Sequence, residues 1–241
     1  MFFRGIIFYI TIGFSLCVSA KDVDIEIVAE EAFPLQYSKG NQVVGPTIEL
    51  VRQVLEHAGL SYSIKVMPWA RAYELAKNKP NILILSMART SGRESLFEWV
   101  GEVARFEYFF YTTASFLKSH DVTPETIGSF RIGAIRHSAA YQYLESQGFS
   151  YLYPVTSHRQ NYEKLLMDRI DFFPASRSMF KAACNKYRAD CEQFIPYAPI
   201  GAPVTSLFFA LSLQTEPKYK EDILNAYLAV TTQQKIVEKP H

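Results

Sequence analysis

Residues 81–101 read NILILSMARTSGRESLFEWVG. The apolar run from Ile82 has no helical spacing and reads as a buried strand that stops abruptly at Ser86. Arg89, Thr90, Ser91, Gly92 and Arg93 follow at once, so two arginines and three small residues sit just past the carboxyl end of that strand. Ligands of open α/β sheets bind at the carboxyl ends of the strands. A guanidinium there can clamp a carboxylate with two parallel hydrogen bonds, while hydroxyls and backbone N–H groups fill its other lone pairs.

The segments before this stretch supply the sheet it belongs to. IEIVAE (25–30) alternates like a strand. GPTIELVRQVLEHAGL (45–60) places Ile48, Val51, Val54, Leu55 and Ala58 on one helical face, with Gly59 as the stop. SYSIKVM (61–67) is a strand and WARAYELAKNK (69–79) a helix. The order β-α-β-α-β is that of an α/β layer with a mostly parallel sheet. FEYFFYTTASFL (106–117) then breaks the pattern, an aromatic run without helical period that reads as an extended hinge strand. Alternation restarts with strands at RIGAIR (131–136), SYLYPV (150–155) and IDFFPAS (170–176), separated by helices at SAAYQYLESQG and HRQNYEKLLMDR. SLFFALS (206–212) is a further strand, and a helix over 216–234 closes the chain. Two α/β units joined by extended crossovers predict a two-lobed protein with a cleft between the carboxyl ends of its sheets. The expected division is 21–112 plus 206–241 for lobe I and 113–205 for lobe II.

The N-terminus MFFRGIIFYITIGFSLCVSA has one basic residue, Arg4, an apolar core from Gly5 to about Val18, and small side chains before residue 21. The core is shorter than the ~20 apolar residues of a membrane-spanning helix. A cleaved signal peptide over residues 1–20 is the better reading and an uncleaved anchor the alternative; export to the periplasm is therefore expected. Cleavage removes Arg4 and takes the formal charge from +1 to zero, which gives no basic excess to suggest a nucleic-acid partner. Of the 3 cysteines, Cys184 and Cys191 remain. In an exported chain this close pair reads as a structural disulfide. Zinc is the rival, but no histidine lies nearby to complete a ligand set. His57, His120, His158 and His241 are too far apart in sequence to form a metal motif, and no cofactor is implied.

In the order and spacing of its motifs the sequence resembles the type II periplasmic solute-binding proteins, the extracellular solute-binding protein family 3 of polar amino-acid receptors. The likeness rests on EEAFPLQYSKGNQVVGPTIELVRQVLEHAG, MPWARAYELAKNKPN, SMARTSGRESLFEWVG, IGAIRHSAA and LLMDRIDFFPAS, and covers nearly all of the chain after residue 20. The resemblance implies that Arg93 clamps a ligand carboxylate, assisted by Ser86, the backbone of Ala88, and Thr90. Ser138 would cap a helix whose N-terminus favours an anion. Phe33 and Trp69 would wall the ligand's side chain, and Glu30 or Glu31 would meet a cationic group. The family's acidic partner for an α-ammonium should fall near Ser176. No Asp or Glu occurs from Phe172 to Ala189, however, and Arg136 and His137 stand where glycine and hydroxyl residues are usual. An acid without an amino group, or one with a second anionic group, fits that loop.

Other readings remain for several of these residues. Arg93 could pair with Glu94 or Glu98 at the surface, Trp69 could be plain core, and His137 a loop residue near the ligand. The function implied is non-enzymatic: a monomer closes on a small carboxylate-bearing solute and docks on a membrane permease. A soluble receptor for a membrane sensor is one alternative. A lyase or dehydratase on the same fold is another, kept open by Glu30 and Glu31 as acid–base candidates.

Overall fold

The computed structural model describes residues 23–187, 191–202 and 205–237. The expected signal peptide, residues 1–20, lies outside them. Among the described residues no helix is long and apolar enough to cross a membrane.

The first lobe is a five-stranded sheet. Strands β1 (Ile25–Ala29), β4 (Tyr62–Val66) and β5 (Ile82–Ala88) run parallel; β12 (Thr205–Ser212) lies antiparallel to β5, and β6 (Phe97–Phe106) antiparallel to β12. The order across the sheet is β4-β1-β5-β12-β6. β5 is central and buried on both faces, which is why its sequence is continuously apolar rather than alternating. Its Leu83 and Leu85 pack with Val51, Val54 and Leu55 of α1 (Pro46–His57) and with Ile223 of α7 (Pro217–Val237). Ile82 and Ile84 pack on the opposite face with Ala72, Tyr73 and Ala76 of α2 (Trp69–Asn78). A hairpin of β2 (Tyr37–Lys39) and β3 (Gln42–Val44) leads into α1. Gly45 precedes that helix at φ 127°, where a Cβ would stand 2.2 Å from the Leu35 carbonyl oxygen, so the chain can take this corner only with glycine.

Chain crossing occurs between β6 and β7 (Tyr108–Thr113). β7 is the middle strand of the second lobe, paired antiparallel with β10 (Phe173–Ser176) and β11 (Phe194–Pro199). The lobes therefore part at Glu107, ahead of the expected break after residue 112, and β12 begins the return at Thr205. The aromatic run 106–117 is not one hinge strand. It is the end of β6, then β7, then a short helix α3 (Ala114–Ser119) whose first turn is capped by the Thr113 hydroxyl, which accepts from Phe116 N at 3.2 Å. Its rings serve packing: Phe110 and Tyr111 point to opposite faces of β7, into two separate cores.

In the second lobe β8 (Ile132–Ile135) and β9 (Leu152–Val155) pair in parallel, joined to the rest by an isolated parallel bridge between Ile132 and Phe172. Helices α4 (Ala139–Ser146) and α5 (His158–Leu166) follow β8 and β9, and α6 (Arg177–Tyr187) follows β10. Cys184 and Cys191 are disulfide-bonded, tying α6 to the segment that enters β11.

Candidate ligand-binding cleft

Strands β1 and β5 end side by side at the cleft, and the local backbone explains what they present there. Opposite Phe209 of β12, β5 carries one extra residue: Met87 pairs with Phe208 and Ile84 with Ala210, leaving Leu85 and Ser86 in a bulge. Ser86 has φ 53°, a left-handed conformation rare for a residue with a Cβ. A bulge re-aims the side chain it contains, and Ser86 turns out of the sheet to the cleft. The turn after β5 then brings Arg93 back beneath it; the Arg93 N–H donates to the Thr90 carbonyl at 2.9 Å.

Arg93 is 1 % exposed, so it is not a surface arginine paired with Glu94 or Glu98. Glu94 is held instead by Arg89, which lies over Trp99 and Phe208 on the outside of the lobe. The Arg93 guanidinium donates from Nη1 to the Ala88 carbonyl at 3.1 Å and from Nη2 to the His137 carbonyl at 2.6 Å. Its carbon sits 5.5 Å from the Trp69 ring centre and 5.2 Å from that of Tyr73, a stack that favours a desolvated cation. Burial presses on its charged form, countered chiefly by Tyr73 and then by Tyr108 and Glu30. Among the described residues its Nε has no hydrogen-bond partner.

The second lobe meets this group through backbone. His137 stands at φ 59°, and its carbonyl accepts from Arg93 and also from the Trp69 indole N–H at 2.9 Å. Two donors of the first lobe thus converge on one acceptor of the second. Ser138, next in the chain, caps α4 by accepting from Tyr141 N at 3.1 Å. The cavity between the lobes has a volume of about 40 Å³ and is walled by Glu30, Ser86, Ala88, Arg93 and Trp69 from one side and Ser138, His158 and Met179 from the other, with Tyr108 at the crossover. A second hollow of about 380 Å³ opens beyond Glu30, between Glu31, Ser38 and Pro68 of the first lobe and Thr156 and Ser157 of the second.

Charge in the cavity is set by burial. Loss of water pushes the Glu30 carboxyl up to about 7, with Arg93 pulling the other way. The same loss pushes the Tyr108 phenol up to about 12, with Glu30 adding to it, and the His158 imidazole down to about 4. Burial thus favours the neutral forms of Glu30, Tyr108 and His158 around the Arg93 guanidinium.

Seven of the expected residues stand together here: Glu30, Trp69, Ser86, Ala88, Arg93, Ser138 and His137, the last through its carbonyl, while its exposed ring lies flat against Tyr73. Four do not. Phe33 packs edge-on to Tyr37 outside the cavity wall, Thr90 contributes only its carbonyl to the turn, and Arg136 is exposed. Ser176 is buried behind the wall, where its hydroxyl accepts from Met179 N at 3.2 Å. Tyr108, His158 and Met179 were not anticipated. Each lies at the start of an element in the second lobe, and only the tertiary approach of the lobes brings them to Arg93. A fourth, Gln36, is fully buried behind Ser86.

The same two-lobed arrangement occurs in solved structures. A histidine kinase sensor domain with similarity to periplasmic binding proteins superposes with a TM-score of 0.75 at 11 % identity, over 88 % of this chain and 91 % of that one. This chain has the fold of the periplasmic binding proteins. The substrate-binding protein of an ABC uptake transporter from Streptococcus pneumoniae, with bound histidine, matches at TM-score 0.73 and 16 % identity over 89 % of this chain and 90 % of that one. The holo ArgBP from T. maritima matches at 0.70 and 12 %, over 86 % and 90 %. No family model matches the sequence, and no curated protein matches it.

Proposed function

We propose that this protein is an exported solute-binding protein of family 3 that closes on a small carboxylate-bearing solute, an amino acid or a related organic acid. Arg93 is the carboxylate clamp. The observation that carries this reading is a guanidinium buried to 1 % in the cleft wall with an N–H still unpartnered. Buried polar groups are nearly always hydrogen-bonded, so a cation left with spare donors at a cavity favours an anionic ligand. Ser86, the Ala88 backbone and the α4 N-terminus at Ser138 surround the same point. Glu30, which lines both hollows, would face a cationic group on the ligand's far end, with Glu31 in the wall of the second hollow; this supports a zwitterion over a simple acid despite the missing acid near Ser176. The bound solute would add contacts in both lobes and so bias the closed form by its extra affinity for it. Delivery to a membrane permease fits the transporter proteins of this fold; the sensor domain that shares it favours a receptor role as the second reading.

A panel of amino acids, keto acids and dicarboxylates, screened by thermal shift and calorimetry, tests the clamp. A ligand at 100 times its Kd adds about 2.7 kcal/mol of stability. Arg93→Met should weaken any hit by about tenfold to a hundredfold, as expected for a lost charge-assisted bond. Unchanged affinity in a folded Arg93→Met protein would end the assignment.

A further inference from the structure

The hydrogen bonds behind Ser86 are inconsistent with the way Gln36 faces them. Gln36 is fully buried, as is Thr47, and lies directly behind the cleft wall. Its Oε1 stands 2.8 Å from the Ser86 hydroxyl and 2.8 Å from the Thr47 hydroxyl, while its Nε2 has no partner among the described residues. Thr47 has one proton and two candidate acceptors, since its hydroxyl is also 2.7 Å from the Leu35 carbonyl. In that orientation the group forms two hydrogen bonds and strands both protons of a buried amide nitrogen. Orphaned buried N–H groups are rarer than under-satisfied carbonyls, and leaving one unpaired is costly.

Rotating the amide by half a turn removes the conflict. Nε2 then donates one proton to Ser86 Oγ and the other to Thr47 Oγ1, and Thr47 gives its own proton to the Leu35 carbonyl. Three bonds replace two, and the oxygen takes the side where a missing partner is tolerated. Since the two amide atoms are assigned by the surrounding network, we infer that Gln36 presents its nitrogen, not its oxygen, to Ser86, and so frees the Ser86 proton for a ligand carboxylate in the cleft beside Arg93. Gln36 is thus a positioning residue acting through Ser86. With the oxygen forward, Ser86 would spend its proton on Gln36 and offer the cleft only lone pairs, which suit an ammonium. The strained backbone of Ser86 fits this role, because the bulge at φ 53° is what holds its hydroxyl between Gln36 and the cavity. The inference rests on the reading of Arg93 as a carboxylate clamp.

Two measurements test it. Neutron diffraction from a deuterated crystal of the purified protein, without ligand or mutation, locates the amide deuterons directly. Two deuterons bonded to the Gln36 amide atom that faces the two hydroxyls are expected; an undeuterated oxygen facing both hydroxyls overturns the inference whatever the protein binds. Binding of L-arginine and of glutarate is then compared in wild type, Gln36→Met, Gln36→Glu, Ser86→Ala and the Gln36→Met/Ser86→Ala pair. Gln36→Glu reverses the hydrogen bond to Ser86 and should weaken the carboxylate that binds by about tenfold, with recovery on acidification as the new carboxyl gains a proton. Gln36→Met should weaken it less, and should have no further effect once Ser86 is alanine. Equal affinity in all Gln36 variants, or the same loss from Gln36→Met with and without Ser86, overturns the positioning role. Failure of the clamp itself shows differently: Arg93→Met binds as wild type does, and the neutron map is unchanged.

Discussion

Glu30 and His158 face one cavity from opposite lobes, and burial moves their titrations in opposite directions, so a pH series on folding stability can separate them. Glu30 titrates at about 7 in the folded protein against an ordinary 4.5. A group that holds its proton more tightly when folded contributes stability below its unfolded pKa and loses it as pH rises through the folded value. At about 1.4 kcal/mol per pH unit, the window from 4.5 to about 7 removes about 3 kcal/mol. His158 has the other sign: ordinary at 6.5, it is held at about 4 when folded. Its contribution is complete above pH 6.5 and is lost as pH falls to about 4, again about 3 kcal/mol. Where the windows overlap the two nearly cancel, and the wild-type profile should be flat in both groups. Glu30→Gln removes the Glu30 contribution, so variant minus wild type should rise by about 3 kcal/mol as pH goes from 4.5 to about 7. His158→Gln removes the His158 contribution, so variant minus wild type should decline by about 3 kcal/mol as pH rises from about 4 to 6.5. Urea unfolding followed by tryptophan fluorescence, with the slope m held common, supplies the curves. Taking variant minus wild type cancels the other carboxylates. A Glu30→Gln curve parallel to wild type would show that this carboxyl is solvated at the cleft, and would refute its desolvation by Arg93's pocket.

Trp69→Phe removes one of the two donors on the His137 carbonyl and keeps the ring. It should shift lobe closure toward the open form by about 1 kcal/mol, seen as a lower energy-transfer efficiency between labels on the two lobes; unchanged efficiency would mean Arg93 alone holds that contact. Gly101→Ala places a methyl 2.0 Å from the Tyr227 ring, which covers β6 and donates to the Glu102 carbonyl at 2.6 Å. A loss of about 1–3 kcal/mol is expected, and thermal unfolding within error of wild type would show that the ring moves freely. Replacing Cys184 and Cys191 by serine opens a short loop of sequence separation 7 and should cost about 2–3 kcal/mol in denaturant unfolding, with ligand affinity intact; a loss of binding would tie α6 to the cleft through Met179.

Much of this architecture follows from local pattern. β5 reads as a strand because both its faces are buried, α1 as a helix because its apolar residues recur on one face, and Arg93 stands out because a buried strand ends just before it. Ser138 is legible as a cap and the two cysteines as a bridge for the same reason, since each relation spans only a few residues. Tertiary structure decided the rest. β6 was hidden because its side chains are half-buried at the sheet edge and carry no clear alternation. The run after it split at Thr113 because a hydroxyl cap, not a change in hydrophobicity, starts α3. Phe33 lies outside the cavity wall against Tyr37 and Arg136 is exposed, while His137 entered the site by its carbonyl at a positive φ, which residue type does not reveal. Glu30's altered titration and Gln36's place behind Ser86 depend on which distant segments close over them, and water exclusion is a property of that closure. Sequence determined which groups could serve an anion; only the packing of the two lobes decided which of them share one cavity, because desolvation and convergence arise between elements far apart in the chain.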